Sequence, residues 1–291
     1  MASARFRAVR IARELPALRD GVAEMRAAGR SVALVPTMGA LHAGHLALVA
    51  AAREVAQATV ASIFVNPLQF GTNEDLDRYP RDEAGDLAAL REAGCDLAWL
   101  PTREVMYPPG EATTVEVRGP AEGWEGAVRP GHFRGVATVC TKLFCQVGAE
   151  IAVFGEKDWQ QLQVVRRVVR DLALPVRIAG VPTVREPDGL AMSSRNRFLA
   201  PVERALAPRL FAELRRAAEA IGAGAPVAES LAAGSGALQE AGFGVDYFAL
   251  VEGDTMRPLP ALGRSGAARM VAAARLGTVR LLDNLPVPFG A

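Results

Sequence analysis

Lysine is nearly missing from this chain. Of its 33 basic residues only Lys142 and Lys157 are lysines, and the rest are arginines. A composition that avoids lysine keeps it where a compact point charge is needed and arginine's planar fork will not serve. Both positions are therefore singled out. Cysteine is also scarce: Cys95, Cys140 and Cys145 are scattered without a CxxC pair. That excludes a disulfide framework and a zinc site of the usual spacing. Cys140 and Cys145 fall in an apolar helical stretch and are expected to be buried small hydrophobes. Aromatics make up only 6% of residues, and the net charge is +1 with acids and bases interspersed. Nucleic acid is thus not expected as a main partner, since phosphate backbones select a basic face. No apolar run is long enough to span a bilayer, so no membrane is expected as a partner. The segment from Met1 to Arg13 lacks the apolar stretch of a signal peptide, and a cytoplasmic location is expected.

What is present is a chain of 291 residues, half of them apolar. That length suits one large domain or two modest ones. Strand and helix signals alternate over the first two-thirds. Val32 to Val35 is a short apolar run, followed by a Pro/Gly turn and a helix from about Gly44 to Ala56. Thr59 to Val65 reads as a buried strand, broken by Asn66-Pro67. A helix is expected near Arg81 to Ala93, a strand near Asp96 to Leu100, and an edge strand at Thr113 to Val117. Phe133 to Val147 reads as a helix, Ile151 to Phe154 as a strand, Asp158 to Leu172 as a helix, and Val176 to Val184 as a strand. Repeated βα units imply an α/β fold: a Rossmann-like parallel sheet with helices on both faces. After Arg185 come turn residues, a long helix near Val202 to Ile221 and a second near Ala228 to Ala241. Strand signals at Val245 to Leu250, Arg269 to Ala274 and Thr278 to Leu282 follow. This reads as a smaller C-terminal α+β domain, with the expected division at 1–186 and 187–291.

The strongest chemical signal is Pro36-Thr37-Met38-Gly39-Ala40-Leu41-His42-Ala43-Gly44-His45, at the junction of a strand and a helix. Two histidines three apart at a helix start place imidazoles beside backbone N–H groups, which suits phosphate. The same spacing also suits histidines that merely cap the helix. A second segment, Ala191-Met192-Ser193-Ser194-Arg195-Asn196, combines two hydroxyls and a guanidinium able to grip phosphate oxygens, or is a solvated turn.

HxGH after a strand resembles the signature of the nucleotidyltransferase superfamily, and the Ser-Ser-Arg segment occupies the place of its second signature. Further segments agree: Phe64 to Phe70, Asp77 to Arg81, Arg129 to Val136, Phe154 to Gln161, Asp188 to Asn196, and Ala274 to Asn284. In order and spacing they resemble the pantoate–β-alanine ligases (pantothenate synthetases) over nearly the whole chain. The resemblance implies an ATP-dependent condensation of pantoate with β-alanine through a pantoyl adenylate. It implies ATP and Mg²⁺ as requirements and a homodimer. It assigns the nucleotide to Pro36, to Met38, Gly39, Ala40, Leu41, His42, Ala43, Gly44 and His45, to Gly155, Glu156, Lys157 and Asp158, and to Val184. His45 would act at the α-phosphate, with His42, Lys157 and Arg195 as further catalytic groups. Met192, Ser193, Ser194 and Arg195 would close over the triphosphate. Gln69 and Gln161 would hold pantoate, with Gln69 close to β-alanine, and Asn66, Tyr79, Arg129 and His132 would line the pocket or its rim. Three positions depart from the family pattern: Ala43 where an acid is frequent, a less acidic helix around Asp86, and Trp159 in place of a smaller aromatic. The second departure leaves the protein ligands of magnesium unknown.

Two other readings share parts of this pattern. A nucleotidyltransferase that stops after moving AMP or CMP would share HxGH and Ser-Ser-Arg but not Asn66 to Phe70 or Gly155 to Asp158. A nucleotide-binding module without catalysis would not need every polar residue above.

Overall fold

The computed structural model describes residues 8–71, 76–263 and 268–288. The chain divides into two compact units. The first runs up to Val117 and adds Arg129–Glu156 and Val164–Pro182. The second takes Arg118–Val128, Lys157–Gln163 and everything from Thr183 onward. The second unit thus also draws on two inserted pieces, which a single cut near residue 186 leaves out.

In the first unit the elements run β1 (Arg10–Ala12), α1 (Leu15–Ala27), β2 (Val32–Thr37), α2 (Ala43–Val55), β3 (Ala58–Ile63) and α3 (Glu83–Glu92). After β4 (Leu97–Trp99) and α4 (Arg103–Met106), a short helix α5 (Trp124–Val128) belongs to the second unit. The first unit resumes with α6 (His132–Val147) and β5 (Ile151–Gly155). Then come α7 (Trp159–Asp171), shared between the units, and β6 (Arg177–Val181). Strands β1 to β6 form one parallel sheet in the order β1-β4-β3-β2-β5-β6, flanked by helices. Strands β2 and β3 are buried along almost their whole length. That is why they read as continuous apolar runs rather than alternating ones. Ala33, Val35, Ala61 and Val153 pack with Leu48, Val49 and Leu90 of α2 and α3 into one core cluster.

The strand order reverses between β2 and β5, the place where doubly wound sheets bind ligands. Pairing there is short. β2 pairs with β3 through Thr37 but with β5 only at Ala33 and Leu34. Pro36, which has no N–H to donate, lies beyond that ladder, so its place in a central strand costs no sheet hydrogen bond.

In the second unit, α8 (Pro201–Leu206), α9 (Arg209–Gly222) and α10 (Val227–Glu240) precede β7 (Gly244–Glu252), β8 (Ala268–Leu276) and β9 (Val279–Pro286). The three strands form an antiparallel sheet in sequence order. Leu210, Leu214, Ile221 and Leu238 of its helices pack with Leu250, Met270 and Leu281 of its strands.

Several local expectations are corrected. The helix expected over Val202 to Ile221 is two helices, because Pro208 cannot donate the bond that would join them. Thr113 to Val117 is not a strand. Its Val115 N–H donates to Thr138 Oγ1 of α6 at 2.9 Å, so a helix side chain takes the role a strand neighbour would have. Cys145 is exposed rather than buried. Cys95 and Cys140 are buried, and burial pushes each thiol up to about 12, which keeps them unreactive.

Candidate active site

The turn between β2 and α2 is held from three sides. Thr37 Oγ1 donates to Ser62 O of β3 at 2.7 Å and accepts from Gly39 N at 3.2 Å. Gly39 and Ala40 both have positive φ, 81° and 50°, a region that disfavours a residue with a side chain such as Ala40. Asp86, buried in the first turn of α3, offsets that strain. Its two carboxylate oxygens accept the N–H groups of Ala40 and Leu41 at 2.9 and 2.7 Å. A Cβ on Gly39 would meet Asp86 Oδ2 at 2.8 Å, so glycine is required there twice over. Asp86, on the helix that is less acidic than the family pattern, is thus engaged by the turn it faces.

His42 and His45 do cap α2. His42 is the N-cap, and its Nδ1 accepts from Gly44 N at 3.1 Å. His45 Nδ1 accepts from His42 N at 3.3 Å, closing a reciprocal capping box. The imidazole centroids lie 4.1 Å apart. A backbone N–H can only donate, so each Nδ1 must be an acceptor and each neutral ring carries its proton on Nε2. Capping therefore fixes two N–H donors at the positive end of a helix, and the two readings of this spacing are compatible. In the same unit Gly155 ends β5 and is followed by Glu156, so both segments leave the carboxyl edges of the neighbouring strands at the switch point.

A second cluster surrounds Gln69. Asn66, 1% exposed, caps the 3-10 turn Pro67–Gln69 by accepting from Leu68 N at 3.2 Å. Its Nδ2 donates to Gln69 Oε1 and to Gly135 O, each at 3.1 Å. Gln69 Nε2 then faces Met38 Sδ at 2.9 Å. Behind the turn, Arg129 Nη2 and His132 Nδ1 both reach the carbonyl of Gln69, at 3.2 and 2.9 Å. Arg129 Nη1 lies 3.2 Å from His132 Nε2. Arginine only donates and a carbonyl only accepts, so His132 carries its proton on Nδ1. Helix α6 approaches this turn so closely that a Cβ on Gly135 would lie 2.2 Å from Leu68 O, which only glycine allows. Tyr79 is buried and meets Phe70 edge-on at 5.8 Å between centroids. The structure thus brings Met38, Asn66, Gln69, Arg129 and His132 together. Asn66, Arg129 and His132 hold Gln69.

In the second unit, Lys157 Nζ lies 3.5 Å from Asp158 Oδ1. The carbonyl of Lys157 accepts from Asn284 Nδ2 of β9 at 2.8 Å, and Asn284 Oδ1 accepts from Arg269 Nε. The Arg269 guanidinium stacks 3.4 Å from the Trp159 ring centroid. Gln160 is buried among backbone groups of residues 120 to 125, whereas its neighbour Gln161 is half-buried. Val184 O accepts from Met192 N at 3.0 Å across a tight hairpin. Arg185 ties the hairpin base to Asp283 with two bonds of 2.6 and 2.9 Å. Arg204 bridges Glu186 and Asp188, which holds the Asp188 carboxyl below the usual carboxylate range. Ser193 Oγ caps the 3-10 turn Ser194–Phe198 by accepting from Arg195 N at 3.3 Å.

Sequence reasoning overlooked Tyr107 and Asn284 and did not see the part of Asp86. Each acts through hydrogen bonds to a distant segment, which leave no periodic signal. Among the described residues, no group of three or more His, Cys, Asp or Glu side chains could hold a metal ion, and no helix is long and apolar enough to cross a membrane.

The family model for pantoate-beta-alanine ligase matches residues 10–286. The pantothenate synthetase of Acidiphilium cryptum is 59% identical over 96% of this chain and all of its own length. The crystal structure of pantothenate synthetase from Thermus thermophilus is 52% identical and superposes with a TM-score of 0.88, covering 96% of this chain and 100% of that one. A pantoate-beta-alanine ligase from Francisella tularensis, crystallised with beta-gamma ATP and beta-alanine, is 29% identical with a TM-score of 0.80 over 96% of this chain and 98% of its own. This chain belongs to the pantoate–β-alanine ligase family and is an enzyme that makes pantothenate from pantoate and β-alanine.

Proposed function

We propose that catalysis proceeds in two steps, with pantoate activated on MgATP before β-alanine arrives. A carboxylate does not yield to an amine at neutral pH, because its oxygen is a poor leaving group. In the first step a pantoate carboxylate oxygen bonds to the α-phosphorus and the bond to the β-phosphate oxygen breaks, releasing pyrophosphate. In the second, the unprotonated amine of β-alanine attacks the acyl carbon and AMP departs. The first step gathers negative charge around phosphorus, so positioned cations and N–H donors do most of the work.

The observation that carries this reading is the His42–His45 cap. It presents two Nε2–H donors and a helix N-terminus beside the switch point of the sheet. His45 is assigned to the α-phosphate and His42 to the phosphates, within a nucleotide site of Pro36, Met38 to His45, Gly155 and Glu156. Lys157, Asp158, Val184 and Met192 to Arg195 are assigned to the same nucleotide through the family resemblance. Gln69 and Gln161 are assigned to pantoate, whose carboxylate must stay nucleophilic. Neutral amides suit it better than a lysine that would hold it too tightly. Tyr79 is assigned to the pocket wall. Mg²⁺ enters as part of the substrate, bound mainly through phosphate oxygens, the common mode for this ion. The Francisella relative's ligands support ATP and β-alanine as substrates. A homodimer rests on the resemblance, and a cytoplasmic location is proposed beside it.

With pantoate and MgATP but no β-alanine, the enzyme is expected to exchange labelled pyrophosphate into ATP. Exchange that appears only when β-alanine is added would replace the two-step route with a concerted one.

The Asp86 clamp gives a second expectation. Asp86→Asn would turn an amide NH₂ toward one of two backbone N–H donors, leaving a buried donor unmatched at a cost of about 1–3 kcal/mol. The turn that carries the nucleotide would loosen, and kcat/KM for ATP should fall by roughly tenfold. Steady-state kinetics at saturating pantoate measure it. Unchanged ATP constants would show that Thr37 alone holds the turn.

A further inference from the structure

Lys142, the other of the two lysines, plays no part in the chemistry above, yet it ends a chain of contacts that leads to Gln69. Lys142 Nζ pairs with Glu111 Oε2 at 2.5 Å, with side chains 25% and 16% exposed. The ammonium also lies 5.3 Å from the centroid of the Tyr107 ring. The Tyr107 hydroxyl donates to Asn66 Oδ1 at 2.8 Å. Asn66 Nδ2 in turn donates to Gln69 Oε1.

The direction of every bond in this chain is forced. Leu68 N–H can only donate, so the atom of Asn66 it meets is the oxygen. Gly135 C=O can only accept, so the atom it meets is the nitrogen. Tyr107 must therefore donate. With two bonds accepted at Oδ1 and two given from Nδ2, the Asn66 amide has no capacity left for a substrate. Gln69 must turn its oxygen toward Asn66 and its NH₂ outward. That NH₂ faces the Met38 thioether, a weak acceptor that a substrate oxygen readily outcompetes.

We infer that Tyr107, braced by the Lys142–Glu111 pair, is a positioning residue that acts through Asn66 to make Gln69 present a hydrogen-bond donor to an oxygen of pantoate. The inference rests on the assignment of pantoate to Gln69. Burial raises the Tyr107 hydroxyl, with Glu111 and Cys140 adding to it, so the phenol keeps the proton it donates.

The test is a double-mutant cycle on the full enzyme, read as pantoate KM, ATP KM and kcat. Tyr107→Phe removes one oxygen and keeps the ring beneath Lys142. It should raise pantoate KM about tenfold, the scale of one lost bond to a buried polar group, and leave ATP KM at the wild-type value. Gln69→Ala should raise pantoate KM at least as far. Tyr107→Phe added to Gln69→Ala should change it no further, because there is no longer an amide to orient. Lys142→Met should give the Tyr107→Phe phenotype in weaker form and serves as the second probe if Tyr107→Phe folds poorly. Independent, multiplying effects of Tyr107→Phe and Gln69→Ala would overturn the inference, as would equal losses in pantoate and ATP constants. An unchanged pantoate KM in Gln69→Ala alone would instead remove pantoate from Gln69, a separate failure.

Discussion

Lys157→Ala is expected to slow adenylation by about two to three orders of magnitude, the loss typical of a strong electrostatic contact at a transferring group. Lys157→Arg should recover only part of it. Lys157 follows Gly155, the last residue of β5, by two positions. Its backbone is anchored by Asn284 Nδ2 on its carbonyl, and its side chain is 22% exposed with the Asp158 carboxylate at 3.5 Å. A fixed backbone with a lightly held ammonium leaves the charge available to phosphate oxygens. Arginine would bring the same charge on a broad planar fork, spread over a different set of donors. In a chain where arginine replaces lysine nearly everywhere, that difference would account for the lysine here. The measurement is the single-turnover rate of pyrophosphate release with pantoate and MgATP. Wild-type rates in Lys157→Arg would reduce the requirement to charge alone. Wild-type rates in Lys157→Ala would remove Lys157 from the chemistry.

His45→Ala should lower the adenylation rate by about a hundredfold or more. This substitution removes two things at once: the Nε2–H donor and the bond by which Nδ1 caps the His42 N–H. A second variant separates them. Glutamine at the third helical position is the residue that commonly closes a capping box. His45→Gln should therefore retain the thermal stability of the parent while losing the imidazole. If the ring acts at the α-phosphate, both variants lose adenylation rate with little change in ATP affinity, and only His45→Ala loses stability, by about 1 kcal/mol. Near-parental turnover in His45→Gln would confine His45 to capping. Rate and thermal midpoint, measured on the same preparations, distinguish the outcomes.

The central strands β2, β3 and β5 were plain in the sequence because both of their faces are buried. An apolar run bounded by Pro, Gly or Asn has few other readings. Strand β1 was not plain: only its last residue, Ala12, is buried, so a three-residue edge strand leaves no pattern to read. The break at Pro208 hides from periodicity, because the apolar spacing continues on either side of it. The pieces 118–128 and 157–163 carry no mark of the unit they join. Gln160 binds backbone groups of residues 120 to 125, and Glu125 binds Arg280 at 2.6 and 2.8 Å, contacts between segments far apart in the chain.

The sequence by itself determined the family and the order of the βα units, and it holds the residue types that the proposed chemistry calls for: the two histidines, the lysine, the glutamines and the Ser-Ser-Arg segment. Those are properties of local composition and spacing, which survive reading in one dimension. Only the tertiary structure decided which polar residues hold one another, as Asn66, Arg129 and His132 hold Gln69. Asn66, expected in the pocket or its rim, makes its four hydrogen bonds with Leu68, Tyr107, Gln69 and Gly135. Asp86 carried no expected role beyond lying on the less acidic helix, and its two oxygens accept the Ala40 and Leu41 N–H groups. A buried polar group takes its role from the partners that satisfy it, and folding brings those partners from distant segments, 69 residues away for Asn66 and Gly135.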